Sequence, residues 1–174
     1  MTVYALGDLV PQIDRSAYVH PDAVVIGAVV IGAESSIWPT AVLRGDYGQI
    51  TVGARTSIQD GTVVHATDTL PTTIGSDCVV GHNAHLEGCT IHDRVLVGSG
   101  CVVLHNVVVH CDAVVGAGAV LPDGLQVPSH AMALGVPAKI KDGAASRDFT
   151  TDGVSKYVAN GARYRRELRV IDQP

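Results

Sequence analysis

The sequence predicts an all-β chain, a single-stranded left-handed parallel β-helix built from hexapeptide repeats, with an α-helix at its C-terminal end. Three observations carry this prediction: aliphatic residues recur every six positions, small residues stand two places before them, and aromatics are scarce. Apolar residues make up 47% of the 174-residue chain, yet aromatics supply only 4%. A core without Phe and Trp suits a narrow interior of stacked Val, Ile, Leu and Ala.

Stepping by six from Ile13 gives Val19, Val25, Ile31, Ile37 and Leu43; after a break come Val52, Ile58 and Val64. After a second break the series continues through Ile74, Val80, Leu86, Ile91, Val97, Val103, Val109, Val115, Leu121 and Val127. The step from Leu86 to Ile91 is five, and near Val25 and Ile26 either residue could hold the register. A period of six matches no 3.6-residue helical face, but it fits one short strand plus one tight turn. Three such sides close a triangular coil, and stacked coils pair each backbone group with the coil above. Ala17, Ala23, Ser35, Ala41, Thr56, Thr62, Ala84, Ala113 and Ala119 fill the small slot two before a marker. Cys78, Cys89 and Cys101 occupy the same slot, where a thiol acts as a compact hydrophobe. No Cys-x-x-Cys pair is present, so neither a zinc knuckle nor a redox motif is indicated.

The repeat occupies residues 1–140, and 141–174 are expected to form a linker and a helix packed along the prism. From Asp148 onward the pattern changes to Tyr157, Val158, Ala162 and Leu168 with Arg and Glu between. Arg163, Arg165, Arg166 and Arg169 read as the solvated side of that helix. With a net charge of −5 and no basic face, a nucleic-acid partner is not expected. No 18-residue apolar run and no basic segment leading into a hydrophobic one are present, so no membrane partner and a cytoplasmic location are expected.

Labelling the sides a, b and c from Ile13 places Leu43, Val64 and Leu86 on side c of successive coils. The residues after them, Arg44, His65 and Glu87, must point outward and stack at about 4.8 Å. Side b carries Gln59 and Asp60 after Ile58, then Gly81 and His82 after Val80. The breaks, Gly45–Gln49 and His65–Thr73, are expected as inserted loops beside this cluster, a favoured place for function. Polar surface stripes alone do not explain His65, His82 and His85 in adjacent coils. Imidazole and carboxylate are good ligands for zinc and other divalent metals. His82 faces another direction from His65 and Glu87, so these donors converge only where side b of one subunit meets side c of the next. A cyclic homotrimer achieves that.

At Leu43-Arg44-Gly45-Asp46, Ile58-Gln59-Asp60-Gly61, Val64-His65, Gly81-His82-Asn83-Ala84 and Gly135-Val136-Pro137-Ala138-Lys139 the sequence resembles the gamma-class carbonic anhydrases. The resemblance covers roughly residues 10–140, and it implies a metal, zinc before iron, held by three histidines at a trimer interface. His65 and His82 match two of them, and Glu87 stands at the third position. Glu87 then completes a two-histidine, one-carboxylate set, with His85 as the alternative donor; a carboxylate would favour a harder metal such as iron. The resemblance also implies that Gln59 orients the attacking hydroxide and that Arg44 and Asp46 pair across subunits near Asp60. The implied reaction is reversible hydration of carbon dioxide to bicarbonate.

Neither break contains a glutamate to export protons. Tyr157 or Tyr164 either reaches the site or packs the helix. His92 and His110 stack on side a as surface residues, and His105 and His130 receive no role. Two other classes stay open: a coenzyme A-dependent acyltransferase or thioesterase on the same scaffold, and a non-catalytic trimeric scaffold with a degenerate metal site.

Overall fold

A computed structural model describes residues 2–146 and 148–171; the side chains of 148–151 are left aside. Short parallel strands stack into a triangular β-helix, capped along one face by an α-helix, Asp148–Glu167. The markers form three in-register ladders. On face c, Val25, Leu43, Val64, Leu86, Val103 and Leu121 stand one above another. Face a stacks Ile13, Ile31, Val52, Ile74, Ile91, Val109 and Val127. Face b stacks Val19, Ile37, Ile58, Val80, Val97 and Val115, ending in Ala133. Val25 is fully buried, which settles the register at Val25 and Ile26.

The slot residues do more than fill space. Ser35 Oγ donates to the Gly53 carbonyl (2.6 Å), Thr56 Oγ1 to Gly75 (2.7 Å) and Thr62 Oγ1 to Gly81 (2.8 Å). Cys78 Sγ reaches the His92 carbonyl at 3.1 Å and Cys101 Sγ that of Gly116 at 3.0 Å. Each acceptor directly follows a marker in the next coil, so a small donor here gives a corner carbonyl a hydrogen-bond partner. Burial pushes the Cys78 and Cys89 thiols up to about 12 and raises that of Cys101. Thiolate is the reactive form. At pH 8 a disulfide reagent is therefore expected to label only the half-exposed Cys111 in the folded protein and all four thiols after unfolding. Mass spectrometry of the labelled peptides checks this; labelling of Cys78 in the folded chain would contradict the packing.

Corners require left-handed backbone. One corner supplies it through Glu34, Arg55, Asp77, Arg94, Asp112 and His130, all at positive φ. Bidentate pairs link this edge: Arg55 to Asp77 at 2.7 and 2.6 Å, Arg94 to Asp112 at 2.8 and 3.0 Å. Aligned guanidinium–carboxylate forks help offset the strain of non-glycine residues there.

The first break is not an inserted loop. The strand Val42–Val52 runs through it and around the c–a corner, shifting register against Val24–Ile31 between Gly27 and Val29. Glycine makes this close pass possible: a Cβ on Gly45 would meet the Ala28 carbonyl oxygen at 2.6 Å, and one on Gly48 would meet that of Thr67. The second break leaves a true connection between strands Val63–His65 and Thr72–Ile74.

The helix lies on face b. Tyr157 and Tyr164 set their rings edge-on to Trp38, at 5.9 and 5.0 Å between centroids, and Tyr18 meets Tyr164 at 6.0 Å. Trp38 Nε1 donates to Ser36 and Ser57 at 3.0 and 2.9 Å, so the indole is buried with its N–H satisfied. Both tyrosines are thus committed to docking the helix. On its outer side Arg163 pairs with Glu167 at 3.1 Å. Among the described residues no helix is long and apolar enough to cross a membrane.

Candidate functional site

Face c carries two outward columns, because marker residues point in and their neighbours point out. Val42, Val63, His85, Val102 and Val120 stand in register in the first. Arg44, His65 and Glu87 stand in register in the second, as the hexad count places them.

His65 is the hinge of the second column. Its Nδ1 lies 2.5 Å from Glu87 Oε1, and its Nε2 lies 3.1 Å from Asp46 Oδ1. Arg44 Nη1 donates to the other Asp46 oxygen. The Arg44–Asp46 pair expected across subunits is therefore already made within one chain. Two residues of extended strand put Arg44 and Asp46 on the same side, so the local geometry suffices. Burial acts to raise the Asp46 carboxyl, but hydrogen bonds from His65 and Arg44 outweigh it and hold it below its ordinary value. The hydrogen bond from His65 lowers Glu87 most, against partial burial, with the charges of His65, His105 and His85 adding to it. Both carboxyls are thus held as carboxylates, the form that accepts from imidazole or binds a cation.

Tyr47 stands edge-on to His65, ring centroids 6.4 Å apart, while 71% exposed. Gln59 is buried at the end of face b. One position on, Asp60 Oδ2 meets His82 Nδ1 at 2.9 Å across the b–c corner. His85 Nε2 lies 3.5 Å from Glu87 Oε2. His105, given no role from the sequence, belongs to this cluster: its Nε2 is 3.7 Å from the same Glu87 oxygen. The hexad count missed it because His105 sits in the turn beyond the strand, two places past marker Val103, where spacing does not fix direction. His92 and His110 stack face to face at 5.2 Å on face a, away from the site as expected.

Face c starts beside His82 and ends at Glu87. Among the described residues, no group of three or more His, Cys, Asp or Glu in one chain is placed to hold a metal. The donor types nevertheless fit a divalent ion: two imidazoles and an ionised carboxylate, with Asp60 on the second nitrogen system as an orienting partner of His82. His65 and Glu87 stand closer together than two ligands of one tetrahedral ion, which are about 3.3 Å apart for bonds of about 2.0–2.2 Å. Moving the two groups apart by under about 1 Å would admit one.

The hexad coils and the polar column on one face define a hexapeptide-repeat β-helix protein. The family model described as bacterial transferase hexapeptide (six repeats) matches residues 71–105. Gamma carbonic anhydrase 2, mitochondrial, of Arabidopsis thaliana is 44% identical over 144 residues, 79% of this chain and 52% of that protein. The chain thus spans about half the length of this plant relative. Carnitine operon protein CaiE of Proteus sp. (strain LE138) is 37% identical over 80% of this chain and 71% of its own. The crystal structure of a hexapeptide transferase family protein from Anaplasma phagocytophilum superposes with a TM-score of 0.89 at 33% identity, covering 94% of this chain and 98% of that one. The chain belongs to the gamma carbonic anhydrase-like family of hexapeptide-repeat proteins.

Proposed function

We propose that the chain forms a homotrimer that catalyses reversible hydration of carbon dioxide at a divalent-metal centre between subunits. His65 and Glu87 of one subunit and His82 of the next would hold the ion, zinc or iron. The observation that carries this reading is the in-register column Arg44–His65–Glu87 on face c, with His82 at the opposite edge of that face. A rotation that brings one subunit's b–c corner to its neighbour's column joins the donors, and repeating it twice closes the ring. The outward valines support a buried face c: Val63 is 38% exposed in the single chain, beside Val42, Val102 and Val120 in the same column. A stripe of β-branched side chains fits a subunit contact better than open solvent.

A bound metal would supply hydroxide near neutral pH. The chain's own groups do the rest. Asp46 and Arg44 fix the orientation of His65, and Asp60 fixes that of His82. Gln59, buried one position before Asp60, would donate or accept at the attacked carbon dioxide and orient the nucleophile. Glu87 adds negative charge, which makes the attacking water less acidic than an all-histidine set would. Light scattering and metal analysis on anaerobically purified protein test the reading together: a trimer with near three ions is expected. A trimer that stays metal-free after zinc and iron supplementation would remove the enzyme and leave a scaffold. Tight binding of coenzyme A would instead favour acyl transfer.

A further inference from the structure

We propose that His105 is a positioning residue for the metal centre: it engages Oε2 of Glu87 and leaves Oε1 as the oxygen presented to the site. This rests on the reading of Glu87 as a ligand given above. The two oxygens of Glu87 are divided between different partners. Oε1 faces His65 at 2.5 Å, whereas Oε2 lies between His85 and His105 at 3.5 and 3.7 Å. His105 Nε2 is closed off from solvent and makes no hydrogen bond, so the Glu87 carboxylate is what it faces. At 3.7 Å the contact is an ion-pair approach rather than a hydrogen bond, and a small turn of the carboxylate closes it.

The surroundings are built for this ring. A Cβ on Gly88 would lie 2.8 Å from His105 Cδ2 and 3.0 Å from Leu70 Cβ, so the glycine after Glu87 makes the room that His105 fills. Gly88 is itself pinned: its N–H donates to Thr72 Oγ1 and its carbonyl accepts from the Asn106 N–H, both at 2.8 Å. On the far side Asp123 Oδ2 stands 4.0 Å from His105 Nδ1, so the imidazole is set between two carboxylates. A freely rotating carboxylate can chelate an ion with both oxygens or swing away. One whose second oxygen is already engaged offers a single, oriented donor. Partners of this kind are worth about 10–100-fold in metal affinity.

The test uses cobalt(II), whose visible spectrum reports its ligand geometry, titrated into the metal-free trimer. His105→Ala is expected to weaken cobalt binding about 10–100-fold and to change the spectrum, with trimer mass and unfolding temperature close to wild type. His105→Gln, which keeps an N–H near the Nε2 position, should restore most of the affinity and the spectrum. Because the effect runs through Glu87, adding His105→Ala to Glu87→Gln should cause no further loss. Unchanged affinity and spectrum in His105→Ala, or an additive loss in the double variant, would overturn the positioning role while the metal reading stands. Wild-type protein that takes up no cobalt would overturn both.

Discussion

Replacing His82 with alanine is expected to strip the metal from the trimer and to cut carbon dioxide hydration by more than about 100-fold. Loss of a partner that merely orients a ligand costs about 10–100-fold in affinity or activity, and His82 is proposed as a ligand itself. The fold has little reason to respond. The His82 side chain is 47% exposed and its partner Asp60 46%, and such an exposed pair contributes at most about 1 kcal/mol. His82 also sits outside the ladder of buried markers. Trimer mass and circular dichroism should therefore match wild type while metal content, by mass spectrometry, and stopped-flow hydration fall together. If the variant keeps its full complement of metal, His82 is not a ligand and the interfacial centre must be drawn from other residues.

Leu86→Ala is expected to destabilise the protein by about 2–5 kcal/mol. Leu86 is fully buried and stands between Val64 and Val103 in the face-c ladder. The backbone on both sides of the void is tied to neighbouring coils: the His85 N–H donates to the Cys101 carbonyl at 2.8 Å, and that of Val63 to Ala84 at 2.9 Å. The site therefore cannot collapse to fill the space, which places the cost in the upper part of that range. Leu86 also separates His85 from Glu87, so the same variant should loosen metal binding although it touches no ligand. Urea unfolding measures the first effect, and a cost below about 1 kcal/mol would mean that the marker ladder is not the source of stability. Cobalt titration measures the second.

The period of six determined most of the fold. Each step is local: a marker, a turn and a small slot, repeated until any register but one would bury polar residues. For that reason the ladders through Leu43, Val64 and Leu86 were readable in advance, along with the column Arg44, His65 and Glu87, the helix from Asp148 and the burial of three cysteines. The outward direction of Arg44, His65 and Glu87 was readable because they sit on strands whose side chains alternate strictly, whereas His82 and Asp60 lie in the turn beyond face b.

Tertiary structure decided what depends on corners and on side-chain reach between coils. The contacts of His65 with Asp46 and Glu87 join residues 19 and 22 positions apart, and their distances depend on how tightly each corner turns. The run Gly45–Gln49 looked like a loop because it breaks the count, yet its glycines let it pass flush against Ala28 and Thr67 as continuous strand. Tyr157 and Tyr164 went to Trp38 rather than to the site because the helix docks on face b, where both rings meet the indole edge-on. His105 entered the cluster only because Gly88 leaves room for its ring one coil away. Sequence by itself determined which face each strand residue occupies, since alternation along a strand is a backbone property; which turn residues meet across the coils was set by packing, where one missing Cβ changes the answer.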